Sequence, residues 1–323
     1  MGTFRTPCLC VSALLVSPAA WPAQEQNYPS KPIRFIAPFA PGGGSDFTAR
    51  LFAQKLGERF KQSVIVDNRP GAGGDLGTAM AIAAPPDGYT LLVVAGSYAA
   101  NVVVHKPSYD PINAIAPVIQ FTKEPSIFMV NPLVPAKTLQ ELLDLAKKQP
   151  NKMSYGSSGV GGLAHLSLEN FLDAAKIKMT HVPYKGTGPA LNDLIAGNIQ
   201  FMSAGAIIAM PFIKSGRLRA MAVTSLVRIP AVPDIPTVSE SGVPNYEKSI
   251  WHGLLAPKNT PRAIVDRVNS VLNESLKTKD IEDRFYAGGI MAAGGTPEVF
   301  LAQIKADIAA CRSVVQRLNI RVE

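Results

Sequence analysis

The sequence predicts an α/β protein with mostly parallel β-sheet. Strand-like apolar runs alternate with helix-like patterns along almost the whole chain, which is typical of β-α-β units. The helix-like patterns begin and end at the residue types that helices favour at their ends. The length of 323 residues, 47% of them hydrophobic, provides for a sizeable core and indicates about two domains.

Ten short apolar runs are the predicted strands. They are residues 33–37, 64–67, 90–95, 117–122, 126–130, 153–156, 179–182, 199–202, 218–224 and 250–256. The helices between them are well delimited. A capping box covers Thr138 to Glu141, Pro189 stands at a first helical position, and Gly197 follows the end of that helix. Thr-Pro pairs at 260–261 and 296–297 open the last two long helices.

Two segments interrupt this alternation and indicate the domain organisation. Residues 118–131 contain two extended runs around Glu124-Pro125 with no helix between them, and residues 229–246 are rich in proline. A chain that leaves one domain and returns to it needs two connecting passages, and these segments are the best candidates. We therefore predict a discontinuous domain 1 of residues 24–124 and 250–323, with domain 2, residues 125–249, inserted. Two tandem domains with one boundary near 124 are the alternative.

The first 23 residues have the pattern of an export signal. Arg5 supplies a positive start, residues 9–16 an apolar stretch, and residues 17–23 several small residues. Cleavage after Ala19 or after Ala23 fits, and the choice stays open. The apolar stretch is too short to span a bilayer. We expect a freely soluble protein exported to the periplasm.

The cysteines and charges indicate which kinds of protein and ligand fit this sequence. Loss of the signal leaves Cys311 alone, so no intramolecular disulfide forms, and its helical spacing predicts a buried small hydrophobe. The net charge of +8 becomes +7 without Arg5, since residues 1–23 hold no other charged side chain. Lysine and arginine are spread without a run, which excludes a nucleic-acid-binding stripe. A diffuse positive field suits an anionic ligand.

The glycine-rich turn at residues 38–46 is the most informative motif. It follows an apolar strand and precedes a helix, so it leaves backbone N–H groups free at the positive end of a helix dipole. Its three successive glycines let a ligand approach the main chain closely. This arrangement predicts an anion site; a merely flexible connection is the alternative.

Three further turns of this kind follow. The turn at residues 67–74 has a spacing close to a dinucleotide fingerprint, but the expected acidic residue about 20 positions on is missing, so we predict a second wall of the same anion pocket. The turn at 155–162 adds the hydroxyls of Ser157 and Ser158; it lacks the glycine of a serine-hydrolase elbow at Val160 and the lysine of a phosphate-binding loop. The turn at 184–189 brings Thr187 to a helix start, beside Lys185, either a ligand contact or a solvated side chain.

The sequence offers no catalytic or metal-binding constellation. Its histidines, His105, His165, His181 and His252, have no partners at metal-ligand spacing, and no pair of acids is placed for acid–base catalysis. His165 lies on the helix that the serine-rich turn opens, so it is a candidate pocket residue, while the other three are expected to be packed or on the surface. These features indicate a binding protein without cofactor or metal, and not an enzyme.

Six motifs in order resemble the substrate-binding receptors of the tripartite tricarboxylate transporter family, the Bug receptors. They are PFAPGGGSDFTAR at 38–50, DNRPGAGG at 67–74, YGSSGVGG at 155–162, PYKGTGPA at 183–190, PDIPTVSESGVP at 233–244 and WHGLLAP at 251–257. The resemblance runs from about Tyr28 to the C-terminus. It implies a two-domain, periplasmic-binding-protein-like (type II) flytrap that closes on a small carboxylate and delivers it, as a monomer, to membrane permease subunits.

The resemblance also implies which residues bind the ligand, mainly through loop backbone groups and ordered water. Carried over by motif, they are Phe39, Pro41, Gly42, Gly43, Gly44, Ser45, Asp46, Gly71, Ala72, Gly73, Ser157, Ser158, Gly159, His165 and Thr187. Ser97 and Tyr98, just after a strand, are added. So is Ala206, from the stretch Ser203 to Ala206, which is all small where many relatives carry polar or acidic residues. That departure leaves the ligand's identity open.

Two other functions remain as alternatives. An exported hydrolase would use Ser157 or Ser158 as nucleophile with His165 as the base. A ligand sensor would use the same closed form to signal to a membrane kinase.

Overall fold

The computed structural model describes residues 27–105 and 107–320, together with Gly2. Apart from Gly2, the predicted export signal at residues 1–23 lies outside the described residues. The described residues contain ten strands. They are β1 Ile33–Ala37, β2 Val64–Asn68, β3 Thr90–Ala95, β4 Ile115–Val130, β5 Ser154–Ser157, β6 Thr180–Pro183, β7 Phe201–Gly205, β8 Arg219–Val223, β9 Ser249–Pro257 and β10 Met291–Ala292.

Ten α-helices accompany these strands within the same described ranges. They are α1 Gly44–Phe60, α2 Asp75–Ile82, α3 Ser97–Val104, α4 Leu139–Lys148, α5 Leu163–Ala175, α6 Thr187–Ala196, α7 Ala206–Lys214, α8 Arg262–Leu276, α9 Lys279–Gly288 and α10 Pro297–Leu318. Strands and helices alternate from β1 to β8, as the sequence predicts. Within the described ranges, no helix is both long and apolar enough to cross a bilayer.

The strands are joined in one order, β2-β1-β3-β9-β4-β7-β5-β6, with β8 and β10 also paired to β4. Pairing is parallel from β1 to β2 and β3, and from β5 to β6 and β7. It is antiparallel wherever β4 or β9 takes part. The sheet is therefore mixed: two parallel groups are connected through two long antiparallel strands.

The long strand β4 changes partners along its length. Residues up to Pro125 pair with β9, and residues from Ser126 onward pair with β7 and β8. The two runs predicted on either side of Glu124-Pro125 thus form one continuous strand. Proline, which lacks an N–H, is tolerated here because it stands where one hydrogen-bonded ladder ends and the next begins.

This change of partner defines two lobes. Lobe 1 contains β1, β2, β3, β9, β10 and β4 up to Pro125, with α1 to α3 and α8 to α10; lobe 2 contains the rest of β4, β5 to β8 and α4 to α7. The partner change supports the division at 124 and 249, which stays a prediction.

Aromatic side chains form the centre of each lobe. In lobe 1, Phe52 of α1 stacks on Phe121 of β4, with ring centroids 4.0 Å apart. In lobe 2, Phe128 contacts Phe171 and Phe201 edge to face. On the opposite face of the lobe 1 sheet, α10 packs Phe300 against Trp251 and buries Cys311, in agreement with the helical spacing in the sequence.

One predicted strand is displaced along the chain. The run at 199–202 begins as a strand only at Phe201 and continues to Gly205. The reason is that Gly197 ends α6 in the left-handed conformation, after which the N–H groups of Asn198 and Ile199 bond to the carbonyl of Asp193. These residues complete the helix end and are not available to the sheet.

Candidate functional site

A cavity lies between the two lobes, with about 600 Å³ of space between atoms when its mouth is included. Both lobes and both connecting strands contribute to its wall. The lining residues are Phe39, Gly43, Gly44, Ser45, Ala95, Ser97, Glu124, Ser158, Leu163, Ala164, Thr187, Ser203, Ala204, Gly205, Ile207, Ile208, Ile250 and His252. Among these described residues there is no lysine or arginine.

Five helices begin at this cavity. Lobe 1 contributes the starts of α1 and α3, and lobe 2 those of α5, α6 and α7, since residues of the first turn of each helix line the wall. The residue that precedes each helix is a glycine in all five: Gly43, Gly96, Gly162, Gly186 and Gly205. None of these glycines has a side chain that accepts the helix's first N–H groups. The cavity is therefore surrounded by backbone donors and by the positive ends of five helix dipoles.

Of the helices that begin elsewhere, α4 and α10 have a side-chain cap, whereas α2, α8 and α9 have none. Thr138 accepts a hydrogen bond from the N–H of Glu141 at the start of α4, and Thr296 accepts one from Val299 at the start of α10. A threonine in this position satisfies a donor that a glycine leaves free. Side-chain caps thus occur at two helices away from the cavity and at none of the five that begin there.

The turn before α1 is held by a buried carboxylate. Asp46 accepts hydrogen bonds from the N–H of Gly42 at 3.1 Å, from Asn68 Nδ2 at 3.0 Å and from Arg50 Nε at 3.1 Å. Burial acts to raise the pKa of Asp46, but these hydrogen bonds hold it below its usual value. Asp46 thus fixes the turn and does not line the cavity.

The two lobes touch directly beside the cavity. The N–H of Ala40 donates to the carbonyl of Lys185 at 3.0 Å, and His105 Nε2 lies 2.8 Å from the carbonyl oxygen of Val160. Gly188 fits against the carbonyl of Pro41 only because it lacks a side chain, since a Cβ there would lie 2.5 Å from that oxygen. Pro41 and Gly42 therefore belong to the contact between the lobes.

The second glycine-rich turn lines a neighbouring cavity. The residues of that cavity are Phe39, Gly71, Ala72, Gly73, Gly74, His105, Ser158, Gly159, Val160, Pro183, Tyr184 and Lys185. Phe39 and Ser158 belong to both cavities and form the wall between them. Gly71, Ala72 and Gly73 thus lie next to the first cavity, and the predicted residues that line the first cavity are Phe39, Gly43, Gly44, Ser45, Ser97, Ser158 and Thr187.

The remaining predicted residues are packed behind the wall. Tyr98 donates from its hydroxyl to the carbonyl of Pro111 at 2.6 Å, and Ala206 is buried at the first position of α7. Ser157 bonds to His181 Nε2 at 2.7 Å. His165 accepts the N–H of Gly161 at Nδ1, and its ring stacks on that of His181.

This packing leaves little support for a serine nucleophile. Ser157 is completely buried, and its partner is His181 and not His165. Burial first, and the neighbouring His165 second, lower the pKa of His181 to about 3, so its ring is a weak base. Ser158 lines the cavity, but the hydrogen bonds of the described histidines go to other groups. Within the described ranges, no cluster of three metal-ligating side chains occurs either.

Sequence reasoning missed two side chains of the wall, Glu124 and His252. His252 is a packed histidine, as expected, but it also lines the cavity. The sequence analysis named Glu124 only as part of the hinge, and it lines the cavity as well. The apolar wall was missed as well; it consists of Ala95, Leu163, Ala164, Ala204, Ile207, Ile208 and Ile250. The predicted hinge could have indicated them, because the two segments that connect the lobes must both border the cleft between those lobes.

The small residues at 203–205 have a local explanation. A Cβ at Gly205 would lie 2.7 Å from Glu124 Oε1, so a side chain at this position would collide with the buried carboxyl group. Ser203 and Ala204 line the cavity beside it. The acidic side chain in this part of the cavity is that of Glu124, on β4.

The chain matches the model of the family described as the tripartite tricarboxylate transporter family receptor, TctC, over residues 48–320. It is 34% identical over 320 residues to the UPF0065 protein in the tcbD-tcbE intergenic region of Pseudomonas sp. (strain P51), covering 98% of this chain and 95% of that protein. It is 32% identical to protein BugT of Bordetella pertussis (strain Tohama I), covering 98% of this chain and 99% of that protein.

Solved structures agree with this match. A periplasmic transporter with 40% identity has a TM-score of 0.89 and covers 92% of this chain and 100% of its own. An R. palustris protein with adipate has 31% identity and a TM-score of 0.88, covering 91% and 99%. MatC from Rhodopseudomonas palustris with bound malate has 29% identity and a TM-score of 0.85, covering 89% and 100%. The predicted two-domain binding-protein fold is confirmed, and the chain belongs to the TctC family of tripartite tricarboxylate transporter receptors.

Proposed function

We propose that this chain is an extracytoplasmic receptor that binds a small carboxylate between its lobes and delivers it to the membrane permease of a tripartite tricarboxylate transporter. The observation that carries the proposal is the convergence of five glycine-preceded helix starts on one cavity. Free N–H groups and positive helix ends are the backbone's means of binding an anion.

The wall of the cavity indicates the kind of anion. Its polar side chains are few, with Ser45, Ser97, Ser158, Thr187 and Ser203 as hydroxyl donors, and the rest of the wall is largely apolar. Without a lysine or arginine in the lining, a compact, highly charged anion such as phosphate would be poorly compensated. A small organic carboxylate, with one charged end and an apolar body, matches this surface. The adipate and malate of the two related structures support this class.

Binding by closure of two lobes also fits the architecture. The lobes are joined through β4 and β9, and each contributes helix starts to the same cavity. We propose that residues 24–124 with 250–323 move as one unit against residues 125–249, about a hinge near 124 and 249.

The family supports a partner and a location. Its description as a transporter receptor supports delivery to membrane permease subunits, and the export-signal pattern of residues 1–23 supports a periplasmic location. The serine-hydrolase alternative has no such support, because neither Ser157 nor Ser158 is hydrogen-bonded to His165.

Thermal unfolding with a panel of carboxylates tests the proposal. The protein is first unfolded and refolded to remove any co-purified ligand, then mixed with succinate, malate, adipate, nicotinate and benzoate. A ligand at about 100 times its Kd adds about 2.7 kcal/mol to the free energy of unfolding, which raises Tm by several degrees.

Uncharged analogues are the matched control. Adipamide, nicotinamide and benzamide keep the size and shape of the acids but not the charge, so we expect them to give no shift. If no carboxylate raises Tm at any concentration, or if the amides do so equally, the proposed function is wrong.

A further inference from the structure

Two titratable side chains meet in the cavity wall, between the strands that connect the lobes. Glu124 lies on β4, and His252 lies on the paired strand β9, opposite Thr122. Glu124 is completely buried, and His252 is 4% exposed. His252 Nδ1 lies 3.7 Å from Glu124 Oε1 and 3.1 Å from Thr122 Oγ1.

The two carboxyl oxygens of Glu124 differ in their surroundings. Oε2 accepts a hydrogen bond of 2.9 Å from the N–H of Ile207, in the first turn of α7. Oε1 is buried without a hydrogen-bond partner among the described residues. An unpartnered buried oxygen is unfavourable by roughly 1–3 kcal/mol, so a donor that moves toward it would be stabilised. The ring of His252, with Nδ1 at 3.7 Å, is a candidate donor.

The other ring nitrogen of His252 faces the start of α1. A Cβ at Gly44, the first residue of that helix, would lie 2.8 Å from Nε2. Within the part of the chain that the structure describes, this nitrogen has no hydrogen-bond partner, and both residues line the cavity. Nε2 therefore points to the place where the free N–H groups of α1 would hold an anion.

An anion bound there would stand close to the Glu124 carboxyl group. The charged groups on the neighbouring elements do not offset the repulsion between that anion and the Glu124 carboxylate. On α1, Asp46 is already paired with Arg50; on β4, the side chain of Lys123 is exposed; on α7, the only charged residue is Lys214, at the far end. Neither β3 nor β10 carries a titratable side chain.

We propose that His252 Nε2 donates a hydrogen bond to the ligand's carboxylate and that the Glu124–His252 pair takes up as much as one proton from solvent when the ligand binds. This inference rests on the proposed function. In the bound state the imidazolium carries both protons: Nε2–H is directed to the ligand and Nδ1–H to Glu124 Oε1. The proton comes from the buffer acid, and no bond in the ligand changes.

The ionisation of the free pair is consistent with this step. Burial raises the pKa of Glu124 to about 7 and lowers the pKa of His252 to about 4. Near neutral pH the ligand-free pair therefore holds less than one extra proton beyond the neutral imidazole. A nearby anion favours the pair that holds one added proton. With that proton on His252, the charges alternate: ligand carboxylate, imidazolium, Glu124 carboxylate.

Isothermal titration calorimetry tests the proposal. The probe is the acid of the thermal panel that raises Tm most, and it is titrated in phosphate and in Tris, whose ionisation enthalpies differ. We expect the binding enthalpy to differ between the buffers by an amount that corresponds to uptake of up to one proton. Between about pH 7 and about pH 9, where these acids do not titrate, affinity should fall up to about tenfold for each pH unit.

Three variants assign the proton. Glu124→Gln keeps the shape of the carboxyl group without its charge, and His252→Gln keeps an amide donor that does not titrate. Both should bind the same acid with no difference between the buffers. Glu169→Gln makes the same chemical change at a carboxyl group of α5 that receives a hydrogen bond from Tyr155 and does not line the cavity. It should behave like the unmodified protein.

The outcomes separate this inference from the proposed function. Binding of an acid without any buffer dependence, or with a dependence that persists in Glu124→Gln and His252→Gln, overturns the inference alone. Failure of every carboxylate to bind overturns the proposed function and the inference with it.

Discussion

At the scale of single residues, the site depends on where side chains are absent. Gly44 leaves room for the ring of His252, and Gly205 leaves room for the carboxyl group of Glu124, because a Cβ at either position would lie less than 3.0 Å from its neighbour. The two glycines come from opposite lobes, at the starts of α1 and α7. They allow two buried polar side chains to reach the cavity without exposure to bulk water.

Replacement of Gly44 should therefore separate binding from folding. In Gly44→Ala the new methyl group displaces His252, and we expect affinity for the best carboxylate to fall at least about tenfold. The helix itself should gain, since alanine is favoured over glycine within a helix by up to about 1 kcal/mol. Calorimetry gives the affinity and chemical denaturation the stability. An unchanged Kd would show that this part of the wall does not contact the ligand.

The buried carboxyl group also makes a prediction for the ligand-free protein. The pKa of Glu124 is raised in the folded state, from 4.5 to about 7, so its favourable contribution is complete below about pH 4.5 and is lost as pH rises through about 7. The variant Glu124→Gln cannot ionise at this position, so its free energy of unfolding does not decrease for this reason as pH rises. The free energy of unfolding of the variant minus that of the parent should rise by up to roughly 3 kcal/mol over this interval and then stay level.

His252 affects the free energy of unfolding with the opposite pH dependence, so both proteins in that comparison must contain it. Its pKa is lowered to about 4 in the folded state, and its contribution is lost as pH falls from about 6.5 toward that value. Because both proteins bury His252, the effect of its burial cancels in the difference. A difference that does not change with pH would show that folding does not raise the pKa of Glu124.

At the scale of elements, the helices fall into those that begin at the cavity and those that begin elsewhere. The sequence predicted three of the five helix starts at the cavity, because those of α1, α5 and α6 follow glycine-rich turns. The starts of α3 and α7 each follow a single glycine, which carries no local signal. Ser97 and Ala206 were therefore reached only through the family resemblance.

A side-chain cap should matter for stability at α4, which begins away from the cavity, and for binding at a helix that begins at the cavity. In Thr138→Ala, α4 loses the hydrogen bond to the N–H of Glu141, and we expect a loss of about 1 kcal/mol in the free energy of unfolding with an unchanged Kd. A change in affinity would show that α4 influences the cavity.

The converse change introduces a cap at the cavity. Gly43 has the extended conformation of a normal N-cap residue, so Gly43→Asp can accept the first N–H groups of α1. Its carboxylate competes with the ligand's, and affinity should fall at least about tenfold. Gly43→Asn introduces a side chain of the same shape without the charge, so its affinity for the ligand should fall less than that of Gly43→Asp. Equal losses in both variants would assign the effect to steric contact with Thr187, which lies 3.4 Å from a Cβ at this position.

At the scale of the whole molecule, the alternation of strands and helices was predictable, and the contacts between distant segments were not. Strand β4 was predicted as two runs because Glu124-Pro125 is a local break, whereas pairing with β9 and then β7 carries the chain straight through it. Thr122 and His252, 130 residues apart, become hydrogen-bonded neighbours through the same pairing. No local pattern contains that information.

Direct contact between the lobes predicts a change of shape on binding. Small-angle scattering should show a smaller radius of gyration for the parent protein with its carboxylate than without it. In Gly188→Val the side chain meets the carbonyl of Pro41, where even a Cβ would lie 2.5 Å away, so the lobes should stay apart. The expected result is an expanded molecule with or without ligand. A radius identical to that of the liganded parent would contradict this role of the contact.

The continuous course of β4 has a consequence for how this receptor evolves. Successive side chains of a strand point to opposite faces, so loss of one residue ahead of Ser126 would turn the whole following segment over relative to β7 and β8. Point substitutions in the strand alter one contact each, but a deletion would exchange inside and outside for one half of the protein at once. A deletion in β4 would keep the faces of the following segment only where one of the strand's register shifts compensated for the lost residue.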